Sequence, residues 1–178
     1  MTTEPTHGAF RAQLTIAEQR QLYDYWLRLA GSRPMPDRRD IEPAHFHRLL
    51  PFISLLERVG EERLRVRLAG TRLRDIYERE TTGLFLDEID FAGRDTYWSA
   101  VYDHVRTTNR PAQGAVRGPR VNKDHLVQFW LRLPLSQDGV PGRMILCHDT
   151  FVSALNVPHS LELGFPDAAT ISRPSAVA

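Results

Sequence analysis

"VRLAGTRLRDIYERETTG", residues 66–83, joins two kinds of local order. Residues 63–68 alternate, with Leu64, Val66 and Leu68 on one side and Arg63, Arg65 and Arg67 on the other, the pattern of a strand with one buried face. The alternation stops at Ala69-Gly70-Thr71, and TRLRDIYER suggests a short helix. Gly70 is expected to turn the chain where a side chain would obstruct close packing. Thr71 is expected to cap the helix through its hydroxyl. Gly83 supplies a flexible or left-handed turn before the next segment. Neither G-x-G-x-x-G nor G-x-x-x-x-G-K-[ST] occurs, so the stretch is a joint that sets short helices over a sheet, and a phosphate cradle is disfavoured.

The flanking segments extend this pattern. FISLLER, residues 52–58, is an apolar strand that forms a hairpin with 63–68 around Gly60. TIAEQRQLYDYWLRLAG, residues 15–31, is an amphipathic helix with Thr15 and Glu18 as a capping box, an Asp24–Arg28 pair and Gly31 as its stop. Leu22, Tyr25, Trp26 and Leu29 share its apolar face. SRPMPDRRDIEPAHF is a turn-rich connector, and Pro43 opens a short helix. LFLDEIDF suggests another helical piece. GRDTYWSAVYDHVRTTN is a longer helix with Tyr97, Trp98, Val101, Tyr102 and Val105 on one face. The period then becomes two: QGAVRGP, HLVQFWLRLPL and GRMILCHDTFVSA are strands, with SQDGVPG a turn between the last two.

This order predicts an α+β arrangement: a five-stranded, mostly antiparallel sheet with short helices across one face and an N-terminal amphipathic helix. The last strands are apolar on both sides, so the second face needs a cover. The first helix is the expected cover, within the chain or at a dimer interface. Residues 1–14 read as a flexible lead-in, 15–155 as a single domain and 156–178 as a loose tail rich in Pro, Ser and Ala.

With 178 residues, one well-cored domain is expected. No apolar run approaches the roughly 20 residues that span a bilayer, and no signal peptide is visible, so no membrane association is expected. The single cysteine, Cys147, permits no internal disulfide and fits a cytoplasmic location. Lys123 is the only lysine among 23 basic residues. The arginines are interspersed with acids, which disfavours nucleic acid as a partner. The stripe Arg63, Arg65 and Arg67 is the candidate contact, and acids such as Glu57 and Glu62 are its alternative partners.

A nucleophile–base–acid run appears at Cys147-His148-Asp149, but neighbours on a strand point to opposite faces. Cys147 is therefore expected to be a packed side chain. The seven histidines contain no H-x-x-x-H pair, so no metal site is expected.

The five-strand order, together with Asp40-Ile41-x-Pro43, Leu50-Pro51, Arg67-Leu68-Ala69-Gly70-Thr71 and Thr82-Gly83, resembles small stand-alone bacterial PAS-like proteins over about residues 20–155. The resemblance implies the PAS fold, a sensory or regulatory role in signal transduction, no catalysis, and a cavity between sheet and helices. It supplies no ligand, and the cofactor stays unassigned. A flavin photosensor of this fold needs a reactive cysteine on a helix, whereas Cys147 is on a strand. A haem sensor needs an axial histidine, for which His104 is the candidate. Tyr77, Trp98, Tyr102 and Trp130 are the pocket candidates, with Arg67 or His148 to neutralise an anion; the competing reading, which the residues favour slightly, is that these aromatics fill a solid core. The expected function is a non-enzymatic module that binds a small ligand, or engages a second copy or a signalling partner. Alternatives are an enzyme with a site shared between subunits, drawing on Asp87, Glu88 and Asp90, and nucleic-acid binding.

Overall fold

A sheet apolar on both sides has to be sandwiched, and the computed structural model shows how this chain does so; it describes residues 7–119 and 122–157. The strands are β1 (Ile53–Val59), β2 (Arg63–Ala69), β3 (Ala112–Arg117), β4 (Leu126–Gln137) and β5 (Val140–Ser153). They form one antiparallel sheet in the order β2-β1-β5-β4-β3. The long β4–β5 hairpin closes through the two-residue turn Asp138-Gly139, whose twist matches that of its strands. This is the α+β, five-stranded antiparallel architecture expected from the sequence.

The helices are α1 (His7–Gln13), α2 (Ala17–Ala30), α3 (Thr71–Tyr77) and α4 (Asp95–Thr108). Helices α1 and α2, with the 3-10 segment Pro43–Phe52, cover one face over Leu131, Leu133, Leu135, Met144 and Leu146. The Trp26 indole crosses this layer and donates to the Pro134 carbonyl at 2.9 Å. Helices α3 and α4 cover the other face over Leu56, Val66, Trp130, Ile145 and Cys147. Among the described residues, no helix is long and apolar enough to cross a membrane.

Several expectations need correction. The segment read as a flexible lead-in contains α1, whose Phe10 is buried against Tyr23 at 4.9 Å between ring centroids. Arg11 from α1 takes both oxygens of Asp24, at 2.7 and 2.8 Å, and so replaces the expected Asp24–Arg28 pair. Ile16 stands at the N-cap of α2, which leaves Thr15 one position too early to cap it. Leu22, Tyr25 and Trp26 are buried inside this chain and Leu29 is half-buried against the same cluster, so this face serves as the cover within the chain rather than as an open dimer or partner surface. Of the tail placed at 156–178, residues 158–178 lie outside the described residues.

The opening stretch behaves as a joint, by partly different means. Gly70 has an ordinary extended backbone and is itself the N-cap of α3, so Thr71 is the first helical residue and provides no side-chain cap. Gly70 matters because a Cβ there would overlap the backbone carbonyl oxygens of Leu50 and Pro51. Its N–H donates to Ile53 at 2.7 Å. Gly83 adopts φ 90°, the left-handed turn expected of it. In β2 the alternation breaks: Leu55 pairs with Leu68 and Leu56 with Val66, so Arg67 is the extra residue of a bulge. Leu64 and Val66 are buried, whereas Leu68 passes to the other side and is 48% exposed.

Two outcomes are expected. Because the obstruction at Gly70 is backbone, G70A should lower stability by about 2–3 kcal/mol in urea denaturation; a change within the scatter of surface substitutions would contradict the packing. His148 lies 1% exposed with Nδ1 lacking a protein partner, beside the Phe52 ring. Burial pushes its imidazole down to about 4, with Arg132 acting the same way and Asp149 and Glu18 opposing. Between that value and the ordinary 6.5 the unfolded chain binds the extra proton. The contribution is therefore complete above pH 6.5 and lost as pH falls towards 4. Between pH 7 and 5 the protein should lose about 2 kcal/mol through this group, and H148L should lose correspondingly less. Identical pH profiles for the two proteins would refute it.

Candidate functional site

Strand β4 presents Gln128, Trp130 and Arg132 towards α4, in a run whose other face is entirely apolar. A guanidinium there needs an anion, because an unpaired buried charge is prohibitively costly. Asp149 on β5 provides it: Arg132 donates through Nη1 to Oδ2 at 3.1 Å and through Nη2 to Oδ1 at 2.9 Å. The two side chains are 3% and 4% exposed. Gln128 Nε2 donates to Asp149 Oδ1 at 2.7 Å, and Arg132 Nη1 also donates to the Leu131 carbonyl at 3.0 Å. Three rings stand around the guanidinium, with centroids at 5.1 Å (Trp98), 5.4 Å (Tyr102) and 5.5 Å (Trp130).

The cage is itself fixed. Trp130 donates its indole N–H to the Tyr97 hydroxyl at 2.8 Å, and its ring lies where a Cβ on the facing Gly114 would intrude. Burial pushes the Tyr97 phenol up to about 12 and that of Tyr102 well above the ordinary range, so both stay protonated. For Arg132 burial opposes the charge, yet Asp149 foremost among its neighbours outweighs it and holds the guanidinium proton more firmly than in water. Two atoms remain without a protein partner, Arg132 Nε and Gln128 Oε1.

Arg132 and Asp149 lie at the floor of a chamber of about 40 Å³, whose other walls include Ser54, Leu56, Val66, Tyr77 and Thr81. Beside it opens a cleft of about 490 Å³ with Trp98 and Phe91 in its wall and Arg63, Asp87, Asp103 and Arg106 among its polar residues. Leu86, Phe91 and Tyr102 line both spaces. The cleft alone falls in the usual range for small-molecule sites, roughly 300–1,000 Å³.

Tyr77, Trp98, Tyr102 and Trp130 fall in one apolar cluster, where Tyr77 lines the chamber, Trp98 the cleft, Tyr102 both and Trp130 neither; neither proposed anion partner joins them. Arg67, the bulge residue of β2, is exposed and lies 3.6 Å from Glu57. His148 falls on the opposite face of the sheet, under the N-terminal cover, because it pairs with Leu131 rather than with Arg132. The cation is Arg132, which the sequence reading passed over inside HLVQFWLRLPL; its acid, Asp149, belonged to the run considered for catalysis.

The other candidates are placed as follows. Cys147 is fully buried, and burial pushes its thiol up to about 11. Asp87 pairs with Arg63, Glu88 accepts from the Phe85 N–H and Asp90 from the Ala92 N–H. Arg65 meets Glu57 at 2.9 Å, so the arginine stripe of β2 is engaged with acids. His104 is half-buried on α4 and lines neither chamber nor cleft.

No curated protein matches this chain. Residues 14–146, three-quarters of its length, match the family described as PAS domain. The match takes in α2, the Pro43–Phe52 segment, α3, α4 and β4 with Arg132 and its rings, while α1 and Asp149 lie outside it. With the antiparallel five-stranded sheet roofed by short helices, the chain belongs to the PAS domain family.

Proposed function

We propose that this protein is a non-enzymatic sensory module that holds a small molecule between α4 and the sheet and transmits occupancy to a second copy or a signalling partner. The carrying observation is the charged floor beneath an aromatic wall. Replacing a buried ion pair by well-packed apolar groups is often neutral or stabilising, so stability alone gives a weak reason for Arg132 and Asp149. A recognition role accounts for them: small-molecule sites combine apolar and aromatic walls with a few placed polar groups. The acids weighed for an enzymatic role serve as partners for an arginine and for backbone N–H groups, which favours binding over turnover.

Native mass spectrometry of the full chain purified from cells, followed by melting with the recovered small molecules, tests this reading. A non-covalent adduct is expected. At about one hundred times its dissociation constant, the recovered ligand should add about 2.7 kcal/mol of stability. In a chain of this size that raises the midpoint by roughly 5–10 °C. Absence of both adduct and shift across cell-derived metabolites would contradict the proposal.

A further inference from the structure

Resting on the signalling half of the sensory reading above, and naming the partner it leaves open, we propose that the bare outer half of β1 and β2, on the side of α1 and α2, docks an acidic amphipathic helix of a partner protein. The cover on that side is incomplete. The core beneath α1, α2 and the Pro43–Phe52 segment takes in Ile53 and Leu55 of β1 and nothing of β2. Alternation puts Leu55, Glu57 and Val59 on this side, and the register sets Leu68 opposite Leu55, Arg65 opposite Glu57 and Arg63 opposite Val59. Three large apolar side chains are exposed among the described residues, and two of them belong here, Leu68 at 48% and Val59 at 36%. The bulge at Arg67 is what delivers Leu68 to this side. Without the extra residue, the alternation from Leu64 and Val66 would keep Leu68 on the α4 side. Bulges re-aim side chains, and this one moves a leucine from the core side into water, where it serves a contact outside the chain.

Charge selects the partner. Arg65 Nη2 and Arg67 Nε approach the same oxygen of Glu57, at 2.9 and 3.6 Å, while Arg63 is held by Asp87. Two cations on one carboxylate leave an excess positive charge beside the exposed leucine, and Arg67 is 53% exposed. Glu61 and Glu62 stand past the strand ends, in the hairpin turn. A carboxylate from outside balances the excess. A second copy would bring the same excess to this face and be repelled. Nucleic acid would meet the arginines with phosphate but leave Leu68 and Val59 unused. The shape of the face selects the partner's element. Elsewhere on this side the sheet is covered by an amphipathic helix, α2, of 14 residues. Strands of seven residues run about 23 Å, the length of a helix of about 15 residues.

The test titrates the full chain into a fluorescein-labelled helical peptide of about 15 residues, with leucines along one face and glutamates flanking them. Anisotropy reads affinity, and backbone amide NMR shifts read the place. The peptide should bind saturably, shift the amides of residues 53–59 and 63–68, and lose about tenfold in affinity between low and moderate salt. The same peptide with lysine in place of glutamate should bind at least about tenfold more weakly. R67A and L68S should each weaken the acidic peptide roughly three- to tenfold. Both side chains are about half exposed, so the melting midpoints of the variants should stay near that of the parent protein. No binding, equal affinity for the lysine peptide, shifts confined to other elements, or unchanged affinity in both variants overturns the surface. A single-stranded oligonucleotide that binds more tightly than the acidic peptide, or self-association abolished by L68S, overturns the partner class. A cellular adduct in the native spectrum beside a failed peptide titration sinks this inference and leaves ligand sensing standing; peptide binding without an adduct keeps the surface and removes the ligand.

Discussion

Arg132 sits where a side chain of its kind has no water to turn to. Everything around it follows from that constraint. Asp149 must come from the neighbouring strand in the register that places Trp130 opposite Asp149 and Arg132 opposite Cys147, so that the carboxylate meets the guanidinium diagonally. Gln128 completes the carboxylate's partners from two residues beyond Trp130. The aromatic face of α4 then closes over the pair, which removes the charges from solvent and gives the guanidinium ring faces to lie against. In a low-dielectric setting the two parallel contacts of this pair are directional, which ties β4 and β5 at this register.

The second constraint is the opposite face of the same strands. Because β4 turns Leu131, Leu133 and Leu135 away from the charged floor, those residues need a cover of their own, and α1, α2 and the Pro43–Phe52 segment provide it. The cover is tied down by polar contacts as well as by area: the Trp26 indole to Pro134, Tyr25 accepting from the Glu42 N–H, and Met35 against the Gly142 N–H. The motif Asp37-Arg-Arg-Asp40 caps itself and meets Ser136 at the end of β4, which anchors the connector to the sheet. A disturbance at the charged floor is thus one residue removed, along β4, from the N-terminal layer. That is a short physical route from the charged floor to the N-terminal layer.

Periodicity carried the sequence reading where it was regular. The five strands, the long helices and the need for a second cover all followed from apolar spacing, because burial on one or both faces leaves a repeating mark. It failed where a single residue changes the phase. The bulge at Arg67 reverses Leu68, and no run of alternating types announces an inserted residue. Thr15 and Thr71 have capping chemistry, but the helices start at positions set by packing, one residue after Ile16 and after Gly70. The aromatics around Arg132 were visible as a helix face plus Trp130. The cation was not, since Arg67 and Arg132 look alike until pairing shows which face each occupies. An arginine inside an otherwise apolar strand was the available signal, and an acid on an adjacent apolar strand was its complement.

The interdependence of Arg132 and Asp149 is best measured by a double-mutant cycle in urea at pH 7, using R132M, D149L and the double variant. A buried, mutually dependent pair predicts that D149L, which strands the guanidinium, costs about 3–5 kcal/mol, while the double variant recovers most of that loss. Losses that simply add, or a D149L variant as stable as the parent protein, would mean that the two groups do not hold each other, and the charged floor would lose its basis.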